Sequence, residues 1–90
     1  MAKVVVTLKI MPENVKSNLD SVEIKIKEIL KGKSDQFKVE KEPIAFGLSS
    51  LKFMFVWDEA FGGTDEVEAK IKKIKGVASV NMVDVRRAIG

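Results

Sequence analysis

Several residue types that carry chemistry are missing from this 90-residue sequence, which has no cysteine, no histidine and no tyrosine. Without cysteine, a disulfide framework and a thiolate metal site are excluded, and this absence suits a reducing compartment such as the cytoplasm. Without histidine, the commonest general base is missing too. The serines Ser49, Ser50 and Ser79 have no obvious activating partner. We therefore expect no enzymatic activity and no bound cofactor or metal.

The sequence also lacks the long apolar run of a membrane span. Its first stretch, MAKVVVTLKIMPEN, is interrupted by Thr7 and Lys9 and shows no small-residue cleavage pattern, so neither a signal peptide nor a transmembrane helix is expected. The net charge of +3 comes from 16 basic and 13 acidic residues that are interspersed, and it is too weak to indicate a nucleic-acid binder. We expect a cytoplasmic, monomeric protein in which residues 1–90 form one domain around one core.

Two segments alternate cleanly between apolar and polar residues, which predicts strands with one buried face. The first, KVVVTLKIM, places on one side Val4, Val6, Leu8 and Ile10. The other, SSLKFMFVWDEA, places on one side Leu51, Phe53, Phe55 and Trp57. This second set is the heaviest apolar face of the chain, so it should point at the helices.

Two further segments alternate less regularly. DQFKVEKEPIAFG begins with Phe37 and Val39 on one face but reaches Pro43, which has no N–H for a ladder, so this strand is an edge strand or ends there. A loop or bend should follow, and the next strand comes so soon that the two must form a hairpin. In VASVNMVDVRR the apolar residues change phase, which predicts a bulge, or exposure on both sides, near Val83.

Two segments have apolar residues at helical spacing. SNLDSVEIKIKEILKGK begins with Ser17 three residues before Asp20, an arrangement similar to a capping box, and ends at Gly32. FGGTDEVEAKIKKIKGV has Thr64 as the expected capping residue and Gly76 as the expected stop. The predicted order is strand, helix, strand, strand, helix, strand.

This order predicts an α+β fold, the ferredoxin-like two-layer sandwich with a βαββαβ arrangement. Its four strands form an antiparallel sheet, and its two helices lie on one face of that sheet. Many unrelated activities occur on this fold, so the fold alone indicates no function.

One alternative function is a small RNA-binding domain, because LKFMFVWD partly echoes the third-strand signature of RNA-recognition motifs. In that signature a basic residue and a glycine stand where this chain has Leu51 and Lys52. Phe53 and Phe55 facing solvent would favour RNA binding, and the same rings facing the helices would disfavour it. A third alternative is an oligomerising or regulatory domain that uses the apolar residues of the open sheet face, which are Val5, Met54 and Val56.

Three stretches, EPIAFGLSSLKF, GGTDEVEAKI and VASVNMVDVRR, together resemble the archaeal translation elongation factor 1-beta family. More distantly they resemble the C-terminal exchange domain of the eukaryotic factor. The resemblance covers essentially the whole chain, and the PIAFG block is its most specific part. It implies a guanine nucleotide exchange factor that promotes GDP release from elongation factor 1-alpha, the GTPase that delivers aminoacyl-tRNA to the ribosome. An exchange factor of this kind needs no catalytic acid or base.

The resemblance also implies site residues. In the family, the aromatic residue before the glycine of this loop is a partner-contacting anchor, which maps onto Phe46, with Gly47 after it and Pro43 and Ile44 before it. From the residues alone, a Phe46 that turns inward and closes the core is as good an interpretation as an exposed anchor. The resemblance favours the anchor.

A second element of the eukaryotic relatives is a lysine near the C-terminus that reaches towards the magnesium and phosphates of the GTPase. Here the corresponding position falls at Gly90, so the charged candidates are Arg86 and Arg87, earlier in the last strand. For both arginines, a place at an ordinary solvated strand end is as good an interpretation as a role in exchange.

Overall fold

The computed structural model describes residues 3–14, 18–34 and 36–87 of the chain. Along these residues, four strands and two helices follow one another in the order that the sequence predicts. The elements are β1 (Lys3–Pro12), α1 (Leu19–Leu30), β2 (Phe37–Pro43), β3 (Ser49–Asp58), α2 (Asp65–Lys72) and β4 (Val77–Arg87). Two short 3-10 turns, Ala45–Gly47 and Glu59–Phe61, follow β2 and β3.

The strands form one antiparallel sheet in the order β2-β3-β1-β4, so β1 and β3 are central. Leu8 lies opposite Phe53, and Val6 lies opposite Phe55. β2 is at one edge and pairs with β3 as a hairpin, as the position of Pro43 predicts. The predicted ferredoxin-like α+β fold is confirmed.

The core lies between this sheet and the two helices, because the alternating apolar residues of the strands point towards the helices. From the sheet, the buried cluster contains Val6, Leu8, Ile10, Leu51, Phe53, Phe55, Trp57 and Val77. From the helices, it contains Val22, Ile26, Leu30, Val67 and Ile71. The indole N–H of Trp57 donates to the carbonyl of Gly62 at 3.0 Å, so the polar atom of this large side chain is paired.

The start of α1 differs from the prediction. Its N-cap is Asn18, whose Oδ1 accepts a hydrogen bond from the amide of Ser21 at 3.1 Å. Ser17, the predicted cap, lies outside the described residues. Asparagine and serine are about equally good N-caps, so the sequence pattern left the register of the cap open by one residue.

The ends of α2 also differ from the prediction. Thr64 is at the N-cap, but its hydroxyl donates to Glu68 Oε2 at 3.2 Å instead of accepting from a backbone amide. The helix ends at Lys72, and Gly76, with φ 98°, belongs to the turn that leads into β4. The predicted stop at Gly76 therefore lies three residues beyond the observed C-cap, Lys73.

The predicted bulge in β4 is confirmed. Thr7 of β1 lies opposite Asp84, whereas the next residue, Leu8, lies opposite Met82. Val83 is thus the extra residue, and the apolar residues change phase there because the strand itself changes register.

Candidate partner-binding site

The hairpin between β2 and β3 is closed by a tight turn. Pro43 pairs with Ser49 at the end of the two strands. Beyond this pair, the amide of Ile44 donates to the carbonyl of Leu48 at 2.8 Å, and the amide of Leu48 donates to the carbonyl of Ala45 at 3.2 Å. Residues 44–48, which we call the hairpin tip, are therefore fixed by their own backbone hydrogen bonds.

At the hairpin tip, Phe46 has a left-handed backbone conformation, with φ 60° and ψ 33°. Gly47 follows with φ 75°, and among the described residues Phe46 is the one non-glycine residue with a positive φ. Positive φ at both central residues of a hydrogen-bonded turn is typical of type I′ hairpin turns, which favour Asn-Gly. For a residue with a Cβ atom, this conformation is about 1–2 kcal/mol less favourable than the right-handed one. Phenylalanine at this position therefore lowers the stability of the turn.

The side chain of Phe46 points into solvent and is 93% exposed. The alternative in which this ring closes the core is therefore wrong. Its neighbours Ala45 and Gly47 are exposed as well, and Ile44 and Leu48 are half-buried at the base of the tip. A large aromatic ring is thus held away from the core on a strained but hydrogen-bonded turn, which is the geometry of a hydrophobic anchor.

The two arginines lie at the opposite end of the sheet, near the end of β4. Arg86 pairs with Val5 and Arg87 with Val4, and both arginines are exposed. The Nε of Arg86 is 2.8 Å from Oδ2 of Asp84, so part of its charge is already neutralised. We call this end of the sheet the arginine end.

The structure does not bring Phe46 and the arginines together. The hairpin tip extends beyond Ser49, the first residue of β3, whereas Arg87 lies across Val4 from Trp57, near the last residue of β3. The strand from Ser49 to Trp57 spans about 27 Å at the usual rise of a strand. The long dimension of the molecule is 42 Å, which agrees with two separate ends.

The aromatic residues of β3 provide no platform for RNA bases. Phe53 and Phe55 are 0% and 1% exposed and face the helices. The other face of β3 carries Lys52, Met54 and Val56, which are half-buried. By the criterion given above, the orientation of these rings disfavours RNA binding.

Neither a metal site nor a membrane-spanning helix is found among the described residues. Among them there is no group of three or more acidic side chains that could hold a metal ion. No helix in the described part of the chain is long and apolar enough to cross a membrane.

The left-handed Phe46 is the feature that the sequence analysis did not predict. A two-residue X-Gly signal between two strands is typical of type I′ turns, and Phe46-Gly47 occupies that place. Phenylalanine hid the signal, because the position usually carries asparagine, aspartate or glycine.

Comparisons with known proteins show the family of this chain. The family model described as the EF-1 guanine nucleotide exchange domain matches residues 5–88. Elongation factor 1-beta of Methanobrevibacter smithii is 40% identical over 87 residues, which cover 97% of this chain and 98% of that protein. Elongation factor 1-beta of Pyrococcus abyssi is 41% identical over 85 residues, 93% of each chain. With matches of this extent, the chain belongs to the elongation factor 1-beta family of guanine nucleotide exchange domains.

Proposed function

We propose that this protein promotes GDP release from the GTPase elongation factor 1-alpha during protein synthesis, with Phe46 as its hydrophobic anchor. The single observation that carries the proposal is the 93% exposed ring of Phe46 on a left-handed turn. The family membership of the chain supports an exchange role in elongation. In this proposal Pro43, Ile44 and Gly47, which flank the ring along the chain, contact the partner with it.

Exchange of this kind follows from linked binding equilibria. An exchange protein can bind the nucleotide-free GTPase more tightly than it binds the GDP-bound form. The ratio of these two affinities must then equal the ratio by which the protein weakens GDP binding. A thousandfold weakening corresponds to about 4 kcal/mol. Full burial of a phenylalanine side chain contributes about 1.5–3 kcal/mol, so Phe46 could supply a large part of this coupling if its pocket opens only when GDP leaves.

The fixed turn should increase what the ring contributes. Ordering a flexible loop on binding costs about 0.5–1.5 kcal/mol for each immobilised side chain. The hydrogen bonds of Ile44 and Leu48 hold the hairpin tip in place before any partner arrives. Less of the burial energy of the Phe46 ring is then spent on ordering the loop.

Arg86 and Arg87 make a second, separate contribution in this proposal. A cation close to the bound magnesium would compete with the metal, whose octahedral geometry tolerates little distortion. Because the arginines lie about 27 Å from the hairpin tip, the GTPase must contact both ends of the sheet for both groups to act together. The partner surface would thus follow the length of the sheet.

The remaining properties form part of the same proposal. Exchange makes and breaks no covalent bond, so the protein acts without a catalytic residue or a cofactor and is not an enzyme. Its partner is a translation GTPase, which places its work in the cytoplasm. We propose that residues 1–90 form one exchange domain that is monomeric without its partner.

The first prediction tests this proposal directly through the release of a fluorescent GDP analogue from elongation factor 1-alpha of the same source, followed by stopped flow. The wild type should accelerate release. The acceleration by the Phe46→Ala variant should be at least about tenfold smaller than that by the wild type, because the ring supplies at least about 1.4 kcal/mol of the coupling free energy.

The matched control is Phe61→Ala, which removes a second exposed aromatic ring, 51% exposed, at the far end of β3. It should retain the acceleration, provided that thermal unfolding shows both variants to be folded. No acceleration by the wild type would reject the exchange function. Equal losses in the two variants would reject Phe46 as the anchor.

A further inference from the structure

A groove separates the C-terminal half of α1 from the first residues of β2. Its volume is about 400 Å³, and its lining includes Ile24 and Phe37, which are 57% and 38% exposed. The ammonium group of Lys27 lies 5.8 Å from the centre of the Phe37 ring, and Lys31 lies on the rim. Glu28 lines the groove as well, so the lining combines apolar side chains with two lysines and one carboxylate.

Beside this groove, β2 presents a free strand edge. Among the described residues, its ladder partner is β3, and it is the last strand on its side of the sheet. The amide of Val56 donates to the carbonyl of Gln36 at 3.1 Å. Hydrogen-bonded and non-bonded pairs alternate along an antiparallel ladder, so Phe37, Val39 and Lys41 direct their amides and carbonyls away from β3.

We propose that this edge and groove form a second docking site, which binds an extended acidic segment of another protein. The segment would add a strand to β2 through the free groups of Phe37 and Val39 and would place one large apolar side chain between Ile24 and Phe37. Strand addition at a sheet edge, with a pocket for alternate side chains, is an established mode of peptide recognition.

The charge of the groove selects this occupant. The stretch from residue 27 to residue 38 carries Lys27, Lys31, Lys33 and Lys38 against Glu28 and Asp35. Lys27 is paired with Glu23 at 2.9 Å and Lys38 with Glu40 at 3.4 Å. The cations that an incoming carboxylate can meet are then Lys31, which lines the groove, and Lys33, which lies between the lining residues Gly32 and Ser34. A second copy of this chain would bring the same cationic stretch against itself, because a two-fold interface sets the same patch on both partners.

The site is independent of the proposed exchange anchor. Phe37 is the first residue of β2 and Pro43 is the last, so the groove lies about 20 Å from the hairpin tip along the strand. A bound segment should therefore leave the ring of Phe46 free to engage its own partner.

The test uses the 15N-labelled protein and a blocked octapeptide that alternates acidic and large apolar residues. The peptide should shift the amide signals of residues 36–41 and slow hydrogen exchange at Phe37 and Val39. A peptide with lysines in place of the acidic residues should bind at least about tenfold more weakly at low salt.

Two variants locate the site. Ile24→Asp should weaken binding at least about tenfold, because it places a carboxylate where the apolar side chain would pack. Lys31→Glu should weaken binding about tenfold at low salt and less at high salt. The matched control is Val83→Asp, a half-exposed valine on the opposite edge strand, which should bind the peptide like the wild type.

Three outcomes would overturn the proposal. One is a set of shifts that maps to β4, which would assign the peptide to the other edge. Another is binding that survives Ile24→Asp. The third is a mass that rises with protein concentration and falls in the Ile24→Asp variant, which would make a second copy the occupant of the groove.

Discussion

At the scale of single residues, Phe46 has a backbone conformation and an exposure that are both unfavourable for phenylalanine. Phenylalanine usually avoids the left-handed region, and large apolar side chains usually avoid solvent. Phe46 nevertheless has a left-handed backbone, with φ 60°, and a ring that is 93% exposed. Residues that keep a strained backbone conformation cluster at functional sites, because selection for stability alone would replace them. The strained backbone of Phe46 is therefore a reason to propose a functional role for its ring.

The second prediction is that stability and exchange move in opposite directions at Phe46. Phe46→Asn should raise the free energy of unfolding by about 1 kcal/mol, because asparagine tolerates the left-handed conformation better than phenylalanine does. The same variant should lose the acceleration of GDP release. Urea unfolding and stopped flow on the same samples measure the two effects.

Gly47→Ala is the matched control for this prediction. With φ 75° at Gly47, an added Cβ should lower the free energy of unfolding by about 1 kcal/mol. A Phe46→Asn variant that is less stable than the wild type would show that the ring stabilises the free protein and that Phe46 is not a strained residue kept for function.

At the scale of secondary structure elements, an ion pair ties α1 to the edge strand β2. The Nζ of Lys41 lies 2.7 Å from Oδ1 of Asp20, and both side chains are exposed. The hydrogen bond and the charge of Lys41 lower the pKa of Asp20, and the same contacts with Asp20 raise the pKa of Lys41. The pair connects the first turn of α1 with Lys41, near the end of β2.

The third prediction follows from the direction of these pKa shifts. Because the pKa of Asp20 is lower in the folded state, its stabilising effect is present above the ordinary carboxylate pKa and is lost as the pH falls through the folded pKa. The raised pKa of Lys41 works in the alkaline range, where stability is lost as the pH rises through the folded pKa.

In a Lys41→Met variant, the pKa of Asp20 should rise to that of an ordinary aspartate, as measured by NMR titration of its side-chain carboxyl carbon. Lys38→Met is the matched control on the same strand and should leave the pKa of Asp20 where it is. An unchanged pKa in Lys41→Met would mean that the pair does not persist in solution.

The elements also show how far the sequence determines this fold. The phase change around Val83 predicted the bulge because a residue added to one strand moves every later side chain to the other face. The cap of α1 was missed by one residue, since Ser17 and Asn18 are similarly good candidates and periodicity does not choose between them. At α2 the predicted cap position, Thr64, is right, but its ψ of 10° lies outside the extended region usual for an N-cap, and its hydroxyl accepts no cap hydrogen bond.

The site was less predictable than the fold. The position of Phe46 in a loop could be read from Pro43 and Gly47, but the outward direction of its ring depends on the sign of one backbone angle. The distance between Phe46 and the arginines could not be read from the order of residues either. It depends on the antiparallel pairing of β1 with both β3 and β4, which places the end of β4 beside the end of β3.

At the scale of the whole molecule, the candidate contacts form two groups at opposite ends of an elongated sheet. The hairpin tip is an apolar contact, whereas the arginine end is electrostatic. These contacts depend differently on salt. At 0.1 M, salt largely screens the interaction of exposed charges more than about 10 Å apart, but it hardly affects the burial of an aromatic ring. The two ends can therefore be separated experimentally.

The fourth prediction is that the two ends act additively. The losses caused by Phe46→Ala and by the double variant Arg86→Ala/Arg87→Ala, expressed as logarithms of the GDP release rate, should sum in the triple variant to within about twofold. Groups more than about 10 Å apart without shared contacts usually behave in this way. Higher salt should reduce the arginine loss and leave the Phe46 loss unchanged.

A double variant with the full wild-type rate would remove the arginines from the proposal and leave Phe46 in place. A triple variant no worse than Phe46→Ala alone, when the double variant does show a loss, would mean that the arginines act only after the ring is seated. That result would replace additive contacts with an ordered two-step engagement.

The packing of Trp57 gives the molecule a built-in optical reporter. It is the single tryptophan of a chain without tyrosine, and it is buried between Phe55 and Phe61 with its indole N–H bonded to Gly62. Its fluorescence therefore reports one neighbourhood, at the end of the sheet away from Phe46. Emission that changes when the GTPase binds would reveal engagement of that end without any attached dye, and a variant of the hairpin tip could be compared with the wild type by the same signal.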